Sequence, residues 1–304
     1  MADARGRLAT LVLLAALASP LPVRAWIASG HARIAEAAVR ALPDSMPLFF
    51  RAGAARIAAS AMDPDLYRLR DLPRLRNAES PEHYLDAELL EGASWPETRF
   101  RYLELIAGMD KDAYAVGTLP YSLAEGVEKL AVSLAQVRLA PGDEWAQDRA
   151  LHHAGILAHY AADLCQPLHT TIHYNGRARA DGSSPASGIH LKMDSLVTAV
   201  FAAGVSGVGT GGGAEDLLGE IRREFAASHA LADRVYELED GLGPEKVSAE
   251  ALEFGRERVA ASIRFTASLF LSAWRLSSEI ELPDWFLELQ PEPASAPSPA
   301  GSPR

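Results

Sequence analysis

Between one proline or glycine break and the next, this chain of 304 residues places its apolar side chains three or four positions apart. That is the period of a helix burying one face, and it leaves little room for a sheet. The stretches that carry it are 31–42, 44–62, 96–108, 122–140, 143–165, 187–203, 214–230 and 248–278. Pro43 closes the first stretch, and Asp44 is an N-cap candidate for the second. No alternating Val, Ile, Thr or Tyr run flanks an Asn-Gly or Asp-Gly turn, and Asn175-Gly176 lacks that setting. The expectation is all-α, one multi-helix domain over 26–290. Residues 204–213 read as a glycine-rich loop, Gly241-Leu-Gly-Pro244 as a break, and 291–304 as a disordered tail rich in Pro, Ser and Ala.

The N-terminus reads as a secretory signal peptide over 1–25. Arg5 and Arg7 make a basic start, residues 8–18 are apolar but too short to span a bilayer, and Val23-x-Ala25 offers small residues to a signal peptidase. The destination is therefore secreted, periplasmic or extracellular. Cleavage after Ala25 leaves Trp26 with a free α-amine of pKa about 8. A metal can take that lone pair and the Trp26 carbonyl oxygen in one five-membered ring. His31, five positions on, can add an imidazole to the same ion.

Forty acidic against 29 basic side chains give a net charge of −11, which excludes capture of nucleic acid or anionic membrane by a broad basic surface. A phosphate-bearing substrate must be held locally, and bound metal is the obvious means. Cys165 is the only cysteine, so no intramolecular disulfide forms despite an oxidising destination.

The densest chemistry lies at 151–169. His159 and Asp163, four apart on a helix, project from one face; Pro167 ends that helix and His169 follows on the exit turn. His190 and Asp194 repeat the spacing, and Asp63-Pro-Asp65-Leu-Tyr-Arg68 and His83-Tyr-Leu-Asp86 add carboxylates and an imidazole. Imidazole and carboxylate donors without thiolates suit zinc in catalytic sites that keep open positions. One His-x-x-x-Asp pair is ordinarily a hydrogen-bonded or solvated pair. Two of them, with His169 and a processed Trp26, favour metal. His152, His153, His173 and His229 fit no ligand slot, Cys165 reads as a small buried thiol, and Phe265, Leu269 and Trp274 as a core stripe. Asp86 is a candidate acceptor orienting His83.

At these residues the chain resembles the superfamily of zinc-dependent phospholipases C and single-strand-specific nucleases. The resemblance runs from Trp26 to about residue 200. It implies an all-α hydrolase with three zinc ions and no stable protein partner, acting as a monomer. Carried over by position, Asp65, His83, His159 and Asp163 hold the first zinc, and His169, His190 and Asp194 the second. Trp26 holds the third with His31 and a shared Asp163. Arg68 matches a phosphate-contacting arginine, and Asp65 is a candidate proton acceptor beside a zinc-activated hydroxide. Asp63 remains a rival for the ligand role of Asp65.

The short Trp26-to-His31 interval and Asp194 look like the nuclease branch, whereas Gly188-Ile-His-Leu-Lys looks closer to the phospholipases. The expectation leans to a phosphodiesterase on single-stranded nucleic acid or nucleotides. A phospholipase C acting on lipid head groups is the alternative, and a non-catalytic secreted zinc-binding protein is the contrasting class.

Overall fold

The computed structural model describes residues 28–288 apart from Ser206 and residues 244–246. The signal peptide expected at 1–25, Trp26 and the tail expected at 291–304 lie outside the described residues. Among the described residues there is no strand, only isolated bridges such as Leu85 with Gly117. The all-α expectation holds. None of these helices is long and apolar enough to cross a membrane.

Helix α1 is Ala28–Ala41. The single helix expected over 44–62 is instead α2 (Leu48–Ala52) and α3 (Ala54–Ser60). Asp44 is not its N-cap: the carboxylate pairs with Arg51 at 2.6 Å. Pro47 disfavours helix for the residue before it, so α2 opens only at Leu48. Gly53, a weak helix former, divides α2 from α3, and its missing side chain admits Leu151, whose Cδ2 lies 2.4 Å from where a Cβ would stand. Short helices α4 (Asp63–Tyr67) and α5 (Pro73–Glu79) each open with a proline in the first turn, where its missing N–H costs nothing. Two 3₁₀ turns follow, Ser80–His83 and Ala87–Leu90.

The rest comprises α6 (Arg99–Gly108), α7 (Ala113–Val116), α8 (Leu119–Leu139), α9 (Glu144–Cys165) and a 3₁₀ turn at Pro167–His169. Beyond them lie α10 (Ile189–Ala203), α11 (Leu217–His229), α12 (Ala232–Glu237), α13 (Ala249–Leu276) and α14 (Asp284–Glu288). Side-chain caps start three long helices where their first N–H groups lack helical partners. Asp143 accepts from Trp145 N and Ala146 N, Asp216 from Gly219 N, and Ser248 from Ala251 N.

Helix α9 is the axis of the fold, packing against α8, α3, α13 and α1. From Leu157 to Cys165 every residue is buried, so this half of the helix has no solvent face. Phe265 and Leu269 of α13 join the core as expected. Trp274 stays at its edge, only partly buried, with the Arg138 guanidinium 3.4 Å over its ring.

Candidate metal centre

A helix buried on all sides has to satisfy whatever polar groups it carries, and α9 carries His159 and Asp163 with no solvent exposure at either. Gly155, one turn earlier, lets α3 come close: a Cβ there would stand 2.4 Å from Ser60 Cβ and 2.6 Å from the Ile57 carbonyl oxygen. That approach brings the Ala61 carbonyl to His159 Nδ1, which donates to it at 2.8 Å.

The same arrangement recurs at two other histidines. His169, on the turn after α9, donates through Nδ1 to the His83 carbonyl at 2.6 Å, and Leu85 N returns a bond to the His169 carbonyl. His190, near the start of α10, donates through Nδ1 to the Tyr174 carbonyl at 3.0 Å. The entry to α10 is fixed by Gly188, at φ +87°, whose N–H donates to Asn175 Oδ1. A carbonyl only accepts, so each of these imidazoles carries its proton on Nδ1 and presents an Nε2 lone pair. Outer hydrogen bonds of this kind fix tautomer and orientation in metal-binding histidines.

The inward nitrogens converge on two carboxylates. Asp163 Oδ1 faces His31 Nε2 at 3.4 Å and His169 Nε2 at 3.6 Å. Its Oδ2 faces His159 Nε2 at 3.3 Å and accepts from His83 Nδ1 at 2.9 Å. His190 Nε2 stands 3.4 Å from Asp194 Oδ2, while Gln166 donates to Asp194 Oδ1 at 2.9 Å. Two ligands at about 2.0–2.1 Å on one tetrahedral zinc lie about 3.3 Å apart. The four spacings of 3.3–3.6 Å match that edge better than they match hydrogen bonds. Three groups of donors lie close enough to share an ion: His31, His159 and Asp163; Asp65, His83 and His159; His169, His190 and Asp194.

Both ring nitrogens of His31, Nε2 of His83 and His169, Oδ1 of Asp163 and Oδ2 of Asp65 are buried without a hydrogen-bond partner. Each such atom costs about 1–3 kcal/mol unless something fills the gap. So many in one place fit a set of cations and fit little else.

Burial, then the mutual repulsion of the cluster, holds His31, His83 and His169 well below the ordinary histidine value. Burial lowers His190 to about 4. Burial also opposes charging of His159, yet the adjoining Asp163 keeps it above the usual value, while burial lifts Asp163 to about 6. At neutral pH the cluster thus offers mostly neutral imidazoles, the form that binds metal.

Asp65 sits on α4 within the donor group of His83 and His159, and Arg68 follows at the C-cap, its guanidinium 3.6 Å from Asp65 Oδ1. The positive charge of Arg68 helps depress His83, His169 and His190. Asp63 turns away, its carboxylate 3.6 Å from His152. Trp26, expected as the partner of His31, lies outside the described residues.

The expected contact of Asp86 with His83 is replaced: His83 faces Asp163, His159 and Glu79. Asp86 is set in a buried turn whose N–H donates to the Val116 carbonyl. The remaining histidines bond elsewhere: His152 with Ser60, His153 with Ser133, His173 with Ala178 N and His229 with the Thr170 carbonyl. Cys165 is buried, which pushes its thiol well above the usual value.

Sequence reasoning missed Gln166, Glu79 and Tyr160. Gln166 ties the end of α9 to Asp194, and its Oε1 accepts from Leu168 N. Tyr160 donates to Glu79, which stands 3.7 Å from His83 Nε2. Glutamine one residue before the Pro167 turn was the available signal for the first. Nothing in local spacing links residue 79 to residue 160.

No protein-family model matches the chain, and no curated protein matches it. Among solved structures it is similar to the alpha-toxin of Clostridium perfringens from an avian strain, at 13% identity and TM-score 0.43. That match covers 86% of this chain and 66% of the other. It is also similar to the alpha toxin of Clostridium absonum, at 14% identity and TM-score 0.40, over 83% of this chain and 64% of the other. The chain spans just under two thirds of the length of these toxins.

Proposed function

We propose that this protein is a secreted, monomeric hydrolase of phosphate ester bonds, foremost phosphodiesters, with three zinc ions in the centre built around Asp163. The observation that carries the proposal is the convergence of carbonyl-oriented histidines on Asp163 and Asp194, with orphaned donor atoms between them. Asp65, His83, His159 and Asp163 would hold one ion, and His169, His190 and Asp194 a second. His31 and Asp163, completed by the amine and carbonyl of Trp26 after signal cleavage, would hold the third.

Bound zinc supplies Lewis acidity toward phosphoryl oxygen and brings the pKa of water toward about 7. The chain's own residues supply the rest. Arg68 lies at the rim with 29% of its side chain exposed, free to pair with phosphate oxygens and to offset charge that develops as the leaving group departs. Asp65, with Oδ2 lacking a partner, is placed to accept a proton from attacking water. Gln166 holds Asp194 in one rotamer, and the Ala61, His83 and Tyr174 carbonyls keep three imidazoles aimed inward.

Bis(4-nitrophenyl) phosphate, single-stranded oligonucleotide and phosphatidylcholine vesicles separate the readings. Zinc-loaded protein that turns over at least one of them, and stops on chelation, supports a hydrolase. Zinc-loaded protein inert on all three is the non-catalytic zinc binder. The sequence leans to nucleic acid. The exposed leucines that flank the site favour the phospholipid reading instead, since a nucleic-acid strand gives them nothing to contact.

A further inference from the structure

The surface beside Asp65 and Arg68 is unlike the acidic remainder of the chain. Leu66, Leu69, Leu72 and Leu75 recur every third residue and are 42–52% exposed, and every residue from 69 to 78 is exposed. Helix α5 buries none of its residues. Four arginines, at 68, 70, 74 and 76, interleave these leucines against the single acid Asp71. Arg70, Arg74 and Arg76 form no ion pair with the described residues, whereas Arg40, Arg56, Arg101 and Arg234 elsewhere each pair with a carboxylate.

Leucines held in water beside unpaired guanidinium groups make up the amphipathic composition of a segment that lies in a bilayer interface. The apolar side chains enter the acyl boundary and the cations meet anionic head groups. The segment is tied to the metal centre at both ends. Asp65 and Arg68 begin it, and Glu79, bonded to Tyr160 and facing His83, ends it. A surface that receives the leucines is thereby brought to the mouth of the site.

We infer that residues 66–76 form a docking strap that seats the metal centre on an anionic phospholipid surface. Charge complementarity selects this occupant. A second copy meeting this one strap to strap would set arginine against arginine, and nucleic acid would satisfy the arginines but not the leucines. The inference rests on the phosphodiesterase reading only for what docking delivers, because the docking itself needs no turnover.

The test is co-sedimentation of zinc-loaded protein with phosphatidylcholine vesicles, with and without phosphatidylglycerol. Two triple variants accompany it: Leu69→Ser/Leu72→Ser/Leu75→Ser and Arg70→Gln/Arg74→Gln/Arg76→Gln. Wild type is expected to bind the phosphatidylglycerol vesicles, more weakly as salt rises. Each variant is expected to lower the partition by more than about tenfold, while Tm and hydrolysis of bis(4-nitrophenyl) phosphate stay at wild-type values. Failure of wild type to bind, or binding unchanged in both variants, overturns the strap. So does a wild-type dimer in analytical ultracentrifugation that the leucine variant dissolves. Vesicle binding by a protein inert on every phosphodiester would leave the strap standing and remove the hydrolase reading instead.

Discussion

Replacing Gly155 with alanine probes the link between helix packing and the metal centre at a residue that touches no substrate. A Cβ at 155 would meet Ser60 Cβ at 2.4 Å, the Ile57 carbonyl oxygen at 2.6 Å and Ala61 N at 2.9 Å, all on or next to α3. Because two of the three atoms are backbone, no side-chain rotation relieves the clash. Restoring ordinary contact of about 3.5 Å requires α3 to retreat by about 1 Å. The bond from His159 Nδ1 to the Ala61 carbonyl, now 2.8 Å, would then stretch past hydrogen-bond range.

Overpacking costs about 1–3 kcal/mol and an orphaned buried donor about 1–3 kcal/mol. The better helix propensity of alanine returns about 1 kcal/mol. The expected net loss is about 1–5 kcal/mol, read as a lower Tm in chelator by circular dichroism. Zinc affinity, titrated against a competing chelator, should fall by about 10–100-fold as His159 loses its fixed tautomer. Gly126→Ala is the control, since the three atoms nearest its Cβ all belong to the Leu157 side chain, the tightest being Cδ1 at 3.1 Å. Gly155→Ala with wild-type Tm and wild-type zinc affinity would refute the reasoning.

Asp163→Ala should lower zinc content and Tm together, because four imidazoles face that one carboxylate; Arg68→Ala should keep the zinc and lower kcat/KM by about 10²–10³-fold. Metal analysis beside kinetics on a soluble diester separates the two. Burial, aided by Glu88, pushes the Asp86 carboxyl from 3.8 up to about 8. The folded state therefore keeps a proton that the unfolded chain releases, and stability declines as pH rises through that window. Asp86→Asn should raise Tm relative to wild type at pH 8 and leave it unchanged near pH 4, as thermal melts at both values will show. Protein with a tag ahead of Trp26 has that nitrogen in an amide, a poor ligand because its lone pair is delocalised. It should hold two zinc ions tightly and the third weakly until trimming frees the amine.

The helices were legible where one face or a cap decided them. The start of α9 follows from Asp143 and its end from Pro167, and the His159 to Asp163 spacing is a property of any helix. Short pieces were not legible. α4, α5, α7 and α12 have at most seven residues each, too few for a period to register; a first-turn proline opens α4 and α5, and Gly117, packed against Tyr84, ends α7. Asp44 shows the limit of cap reading: the side-chain type was right for a cap, but Pro47 moved the helix start beyond its reach. At the centre, residue type and spacing pointed to the donors. Gly155 against α3, Gln166 on Asp194 and Glu79 under Tyr160 join residues far apart in the chain, and one-dimensional spacing carries no trace of such pairings.

Elemental analysis of the secreted protein with a free Trp26 amine tests the central claim most directly. Donor groups around Asp65, His31 and His190, with their orphaned atoms, predict close to three zinc ions per chain, their loss to chelator, and a lower Tm without them. Protein purified without chelator and supplied with zinc that retains no transition metal, with the same Tm whether or not zinc is added, would contradict it.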